Sequence, residues 1–339
     1  MKNLKLILIN FFVFICFILI IEVIFGYWFK DNNFGIYMRK ERRINWLTEV
    51  NINNQKYKFS YKRNFWGFRG EEFDPQDIKV IFQGGSTGNQ RMHPEELTIV
   101  GQLNDFFKND QIDLRIYNSS TDGKSTHGYV NDFLYWFPKI PNLNPEYVIF
   151  FIGINDTFKT PDKHWDYKVS DKRIDKIKDY IKNNSIFVDK YKIIKNKFFP
   201  RNVLAYEPET NNLYENFKYT DFKKAKSENK KLDSQEKIII KQFKKALSDL
   251  DSIIYKNKIT PVFVTQVMFN GLDNRVLYRI NNELKIFAKS NNYFIIPLDE
   301  LVTMEVNDFY DPVHTTPQGS KKLATTLYPF LKKILITKN

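Results

Sequence analysis

Ser86 lies in the stretch GGSTG, residues 84–88, directly after the apolar run VIFQ. The whole chain has only 13 glycines in 339 residues, yet three of them surround this serine. Glycine tolerates positive φ and has no side chain, so Gly84 and Gly85 allow a tight turn whose main chain can approach a ligand. A hydroxyl presented in this way can act as a nucleophile, and the letters satisfy G-x-S-x-G through Gly84, Ser86 and Gly88. A phosphate cradle competes with that reading. A P-loop, however, needs Lys followed by Ser or Thr after its last glycine, and here Asn89 and Gln90 follow Gly88.

A serine nucleophile needs a base to take its proton, and an imidazole base needs a carboxylate to orient it. The stretch YDPVHTTPQGSKKLA places Asp311 three residues before His314, just ahead of a C-terminal helical pattern. Such a loop can also be an ordinary polar loop or half of a metal site. The metal reading finds little support, because His93, His127 and His164 show no paired ligand spacing. The single cysteine, Cys16, excludes an intrachain disulfide and any cysteine-based metal site. Two more stretches could hold a developing negative charge: NSSTDGKSTHG through the backbone N–H of Gly123, and FIGINDTF through the side-chain amide of Asn155. Read singly, Gly123 is an ordinary turn glycine and Asn155 an ordinary turn or capping residue.

These residues need a scaffold that carries them to one place. From residue 77 short apolar runs alternate with helical stretches, which is the rhythm of a parallel α/β sheet. The strands are KVIFQG, DLRIYN, EYVIFFIG, TPVFVTQ and YFIIPL, none with the strict alternation of a half-exposed strand, so burial on both faces is expected. Between them PEELTIVGQLNDFFKN, THGYVNDFLYWFPKI, DSQEKIIIKQFKKALSDLDSIIYKN and DNRVLYRINNELKIFAKS repeat apolar residues every three to four positions, as covering helices do. Ser86, Gly123 and Asn155 would then follow successive strands on one sheet edge, where open α/β sheets bind ligands.

Taken in order, GGST, NSSTDGKST, GIND and DPVH resemble the four sequence blocks of the SGNH hydrolases, also called GDSL-like esterases. The resemblance covers about residues 77–335. It implies a flavodoxin-like three-layer α/β/α sandwich with a parallel five-stranded sheet. It also implies a Ser86–Asp311–His314 triad, an oxyanion hole of the Ser86 N–H, Gly123 and Asn155, and no metal or organic cofactor. The first block reads GGST where the best-known form is GDS, so Gly85 replaces an acidic residue. GGST forms are familiar among members linked to surface polysaccharides. Ser119-Ser120 stands where many members have Ala-Gly. The α/β-hydrolase alternative fits poorly, since there several strands precede the nucleophile and the acid sits on its own strand end. The implied activity is hydrolysis of an acyl ester, of acetyl size, on a cell-surface carbohydrate. Acyl transfer, lipid ester hydrolysis and glycan binding without catalysis are the alternatives.

Outside this region, LILINFFVFICFILIIEVIFGYWF, residues 6–29, is apolar apart from Asn10 and Glu22 and long enough to cross a bilayer. Lys2 and Lys5 precede it and no A-x-A-like cleavage site follows, so residues 1–30 read as an uncleaved anchor rather than a removed signal peptide or a buried core helix. Cys16 follows Ile15 rather than a small residue, which argues against a lipoprotein acceptor. Tyr27 and Trp28 suit an aromatic belt. Lys30, Arg39, Lys40, Arg42 and Arg43 argue against export by charge counting, but a short tail before a single anchor favours an extracytoplasmic domain. Residues 31–76 read as a lead-in that packs on a domain edge and carries no catalytic pattern. Residues 160–233 read as a Lys- and Tyr-rich insertion, a lid or a solvated helical face, in which His164, Trp165 and Tyr167 could stack on sugar rings. The formal charge of +13 accompanies a general excess of Lys, Asn, Ile, Phe and Tyr and does not by itself call for a nucleic-acid partner.

Overall fold

The computed structural model describes residues 2–29, 46–52, 55–158, 173–198, 232–269 and 275–336. The chain begins with helix α1 (Lys2–Phe25) and continues through strands β1 (Trp46–Ile52), β2 (Gln55–Tyr61) and β3 (Val80–Gly84). Then come α2 (Ser86–Asn89), α3 (Ile99–Asn109), β4 (Ile116–Asn118), α4 (Thr126–Asn131) and β5 (Tyr147–Phe151). A helical pair follows, α5 (Arg173–Asn184) and α6 (Ile186–Phe198), before α7 (Ser234–Asn257), β6 (Thr260–Val264) and α8 (Arg275–Ser290). The chain closes with β7 (Phe294–Ile296), α9 (Leu298–Leu301) and α10 (Pro317–Ile336).

Strands β3 to β7 form one parallel sheet in the order β4-β3-β5-β6-β7. Because side chains alternate along a strand, each strand feeds two cores. Ile81, Val148, Phe150 and Phe263 point to one face and meet Trp136, Leu247 and Leu250 of α7, and Leu284 of α8. Phe82, Ile149, Phe151 and Val264 point to the other and meet Leu103 and Phe107 of α3 and Leu327 and Leu331 of α10. The result is a flavodoxin-like three-layer α/β/α sandwich. The chain runs from β3 outward to β4, then returns past β3 to β5, so the strand order reverses between β3 and β5. Their carboxyl ends border the crevice where doubly wound sheets place ligands.

Local signals set the helix ends. Asp233 and Glu236 form a capping box at the start of α7, and Lys258 closes it in the left-handed conformation. The Thr98 hydroxyl accepts from Gly101 N–H at the start of α3. Three details differ from the pattern in the sequence. Strand β4 has only three residues, because its neighbour β3 begins at Val80, opposite Ile116, and offers no ladder to residues 113–115. The helix expected from Thr126 passes into a π-helical turn at Asp132–Trp136, with Pro138 following in a 3-10 turn. An antiparallel hairpin, β1 with β2, precedes the sheet and was not expected from the sequence. Most of residues 160–233, including His164, Trp165 and Tyr167, lie outside the described residues, as does the basic run at 30–45.

Candidate active site

Strand β3 delivers Gly84 at its carboxyl end, and Gly85 caps the one-turn helix α2, whose first residue is Ser86. The loop before α10 closes on itself through Tyr310 N–H donating to His314 O, 3.1 Å, and a bridge between Phe309 and Thr315. Within it Asp311 Oδ1 accepts from the backbone N–H of Val313, 2.9 Å, and of His314, 2.7 Å. That leaves Oδ2 facing the ring, 2.6 Å from His314 Nδ1. His314 Nε2 lies 2.8 Å from Ser86 Oγ. With the Nδ1 proton donated to the carboxylate, Nε2 is the lone-pair nitrogen that receives the serine hydroxyl. Burial pushes the Asp311 carboxyl up, but the hydrogen bond and electrostatic pull of the His314 ring and the two backbone N–H groups outweigh it and hold the pKa below its ordinary value. The Tyr310 ring stacks on the imidazole, with centroids 5.7 Å apart and planes 9° apart.

Asn155 comes from the turn after β5, and its Nδ2 donates to Lys124 O at 2.8 Å, leaving the second amide hydrogen for another acceptor. The residue before Lys124 is Gly123, at φ +77°, where a Cβ would meet nothing within 4 Å. Backbone conformation, rather than crowding, asks for glycine there. Gly85 is the opposite case. Its φ of −84° suits any residue, but a Cβ would fall 2.0 Å from Asn155 Nδ2 and 3.0 Å from Lys124 O. The amide of Asn155 therefore occupies the space that a side chain at position 85 would need. Asp156 ties the same two loops together, accepting from Thr126 N–H at 3.1 Å and from Thr126 Oγ1 at 3.1 Å. A hydroxyl, an imidazole, a carboxylate and the Asn155 amide thus converge on one sheet edge, an arrangement able to activate an oxygen nucleophile and to receive an oxyanion.

Several supporting residues are not evident from the sequence pattern. Gln90 Nε2 donates to Thr315 Oγ1, 3.1 Å, and Ser320 Oγ, 2.5 Å, joining the Ser86 turn to the residue after His314. Gln266, at the end of β6, donates to Thr87 Oγ1, 2.9 Å, while its Oε1 accepts from Ile154 N–H, 2.7 Å, joining Ser86's neighbour to Asn155's. The only signal for Gln266 was a polar residue just past a strand end, and Gln90, at the end of α2, had none. The lead-in contributes two buried arginines. Arg69 donates to the carbonyls of Asn89, of Gln90 at 2.7 Å and of His93 at 2.7 Å, and pairs with Glu95. Arg63 donates to Ser120 O, 2.9 Å, and Asn89 Oδ1, 3.1 Å. Residues 63–69 therefore brace the turn that carries Ser86, which no pattern in them announces.

The loop carrying Gly123 is anchored by Lys124, whose ammonium pairs with Asp132 and sits 5.0 Å from the centroid of the Trp136 ring. The two charged side chains are 3% and 0% exposed, and Gln83 Nε2 adds a 2.6 Å hydrogen bond to the carboxylate. His93 is buried beneath Tyr310, with ring centroids 5.9 Å apart. Burial, aided by the positive charge of Arg69 and by the neighbouring His314 ring, pulls its pKa down to about 3, so it is neutral at physiological pH. Among the described residues no cluster of three or more His, Cys, Asp or Glu is placed to hold a metal.

No family model and no curated protein matches the chain. Solved structures that resemble it include one titled TesA, at 11% identity, 76% coverage of this chain and 99% of that chain, with a TM-score of 0.45. An acetyl xylan esterase, AlAXEase, matches at 14% identity, 75% and 100% coverage, and a TM-score of 0.42. A psychrotrophic esterase, EstA from Pseudoalteromonas sp., matches at 12% identity, 76% and 99% coverage, and a TM-score of 0.42.

Proposed function

We propose that the protein is a serine ester hydrolase of the SGNH type. The observation that carries this reading is the continuous hydrogen-bonded line from Ser86 Oγ through His314 to Asp311, at 2.8 and 2.6 Å. In this reading Nε2 of His314 takes the hydroxyl proton as Ser86 Oγ bonds to the acyl carbon, and Asp311 stabilises the imidazolium. The Ser86 N–H, the Gly123 N–H and the Asn155 amide receive the oxyanion. His314 then returns the proton to the departing alcohol, leaving an acyl-serine. Water, deprotonated by the same imidazole, attacks that ester and releases the acid and Ser86.

The substrate that fits this reading best is an acyl ester, of acetyl size, on a cell-surface carbohydrate. The GGST form of the first block and a membrane location favour it. What supports a membrane location is helix α1, where Leu4–Phe25 runs for 22 residues and none of its apolar window is buried in protein. At 1.5 Å per residue such a helix is about 33 Å long, against a hydrocarbon core of about 30 Å. We take α1 to anchor the chain, with the α/β domain on the extracytoplasmic side. Transfer of the acyl group to a sugar hydroxyl uses the same residues with a different acceptor.

The test is reaction of the full chain with a fluorophosphonate probe and turnover of an aryl acetate, each beside Ser86→Ala. Labelling and hydrolysis that disappear in the variant, with a fall in kcat of about 10⁴-fold or more, are expected. Labelling without hydrolysis would point to a transferase that needs its own acceptor. Neither signal from a folded protein would leave glycan binding as the better account.

A further inference from the structure

Glu22 is the one acidic residue in the apolar run of α1, and its partners belong to the distant helical pair. Its carboxylate accepts from the backbone N–H of Ile186, 3.0 Å, and of Phe187, 3.3 Å, and from the Ser185 hydroxyl, at the N-terminus of α6. Trp28 Nε1 donates to the same carboxylate at 3.0 Å. Tyr27 N–H donates to Asn184 O, 2.8 Å, and the Trp28 ring meets Tyr180 edge-on at 5.7 Å. The turn between α5 and α6 is therefore fastened to the last turn of α1 and the aromatic residues after it.

Away from that turn the two helices leave apolar side chains uncovered. Ile174, Ile177 and Ile181 lie along one face of α5, and Phe187, Tyr191 and Ile194 along one face of α6, with exposures of 43–66%. Residues 173–198 also carry eight basic and three acidic side chains. A helix with an apolar stripe and a Lys-rich remainder is the kind that lies in the plane of a bilayer interface, and an excess of cations selects anionic headgroups.

We propose that the α5–α6 hairpin is a membrane-surface element that lies in the headgroup layer of an anionic bilayer, fixed there by Glu22 at the end of the span. A lipid surface explains together the uncovered apolar stripes, the basic excess and the position at the end of an apolar helix. It also gives Glu22 a reason to be where it is, since its carboxylate joins the two membrane-bound parts. The proposal rests on α1 being a span, which the experiment tests separately.

The experiment uses the full chain with Cys16→Ala, so that a single introduced cysteine can carry an environment-sensitive fluorophore. The protein is placed in vesicles of equal parts phosphatidylcholine and phosphatidylglycerol. Ile177→Cys and Ile194→Cys report the apolar faces, Lys178→Cys and Lys190→Cys the exposed basic positions, and Leu8→Cys the span. Quenching is read with aqueous iodide and with lipids spin-labelled at shallow and deep positions. Deep-lipid quenching at position 8 establishes the span. The hairpin proposal expects shallow-lipid quenching at 177 and 194, with iodide quenching several-fold weaker than at 178 and 190, and weaker insertion when phosphatidylglycerol is omitted. A span at position 8 with equal iodide access at all four hairpin positions would overturn the proposal and leave the anchor intact. Shielding of 177 and 194 from both quenchers would overturn it in favour of a protein partner or a second copy. Iodide access at position 8 would remove the span and the proposal together.

Discussion

Around Ser86 the chain buries polar groups and ties each to a named partner, whereas the α5–α6 hairpin leaves apolar side chains in the open. At the sheet edge Arg69, Gln90, Gln266, Lys124 and Asp132 are almost wholly buried; the bonds of Arg69, Gln90 and Gln266 run between different loops, while Lys124 and Asp132 tie one connection to itself. Such groups are kept because moving any one leaves another unsatisfied in a low-dielectric setting, so the positions of Ser86, Asn155 and His314 are mutually fixed. The hairpin has the reverse arrangement. Among the described residues its fixed point is the turn held by Glu22, and its apolar faces have no counterpart in the sheet's two cores. A region that must hold atoms within tenths of an ångström is built from buried polar ties, and a region suited to a fluid surface is built from an exposed apolar stripe.

The contrast can be broken most severely at Lys124. Lys124→Met leaves the Asp132 charge buried without its cation, and a loss of about 3–5 kcal/mol in urea denaturation is expected. Adding Asp132→Asn should recover much of it, which a failure of the loop to fold for any other reason would not allow. Next in size is Gly85→Ala, whose Cβ cannot coexist with Asn155 Nδ2 as placed. On the proposed mechanism a fall in kcat of about 10²–10³-fold is expected, similar to Asn155→Ala, because both would remove the same donor from the oxyanion. The two should be far from additive when combined. If Gly85→Ala is silent while Asn155→Ala is not, the amide does not depend on the space at position 85.

An effect that is smaller for each step of change comes from pH. The unfolded chain protonates His93 below about pH 6.5, while the folded protein keeps it neutral down to about pH 3. The unfolded state therefore binds more protons in this window, and stability falls as pH drops, at roughly 1.4 kcal/mol per unit for this one group. Asp311, with its pKa lowered, adds stability that is present above its ordinary 3.8 and is lost as pH falls below that through the folded value. Urea midpoints measured across this range should flatten in His93→Gln above pH 4, where Asp311 contributes little. The smallest effect is expected at the hairpin: Ile181→Asn should shift the unfolding of the sheet domain by no more than about 0.5 kcal/mol. Leu250→Ala in the sheet's core should shift it by about 2–5 kcal/mol.

The sheet was legible because its cause is local and repetitive. Five short apolar runs, alternating with stretches of helical period, predict five parallel strands, and all five are present. Ser86, Gly123, Asn155, Asp311 and His314 could be picked out because glycines, a D-x-x-H loop and polar residues at strand ends stand out against apolar runs. The β1–β2 hairpin went unread although Val50, Ile52, Tyr57, Phe59 and Tyr61 alternate with polar residues about Asn53-Asn54, because so short a two-stranded pattern stands apart from the parallel rhythm of the sheet. Unread too were the roles of Arg63, Arg69, Gln90 and Gln266, each of which acts across tens to hundreds of residues of chain and has no periodicity to mark it.

The sequence by itself determined the period of each element, the apolar span of α1 and the residue types able to do acyl chemistry, since these depend on side chains a few positions apart. Only the tertiary structure decided that His314 reaches Ser86 across 228 residues, that Asn155 fills the space beside Gly85, and that Glu22 meets the start of α6. Those contacts depend on where the parallel sheet reverses its strand order and on which loops then share one edge, and no local pattern in the chain encodes a distance between them.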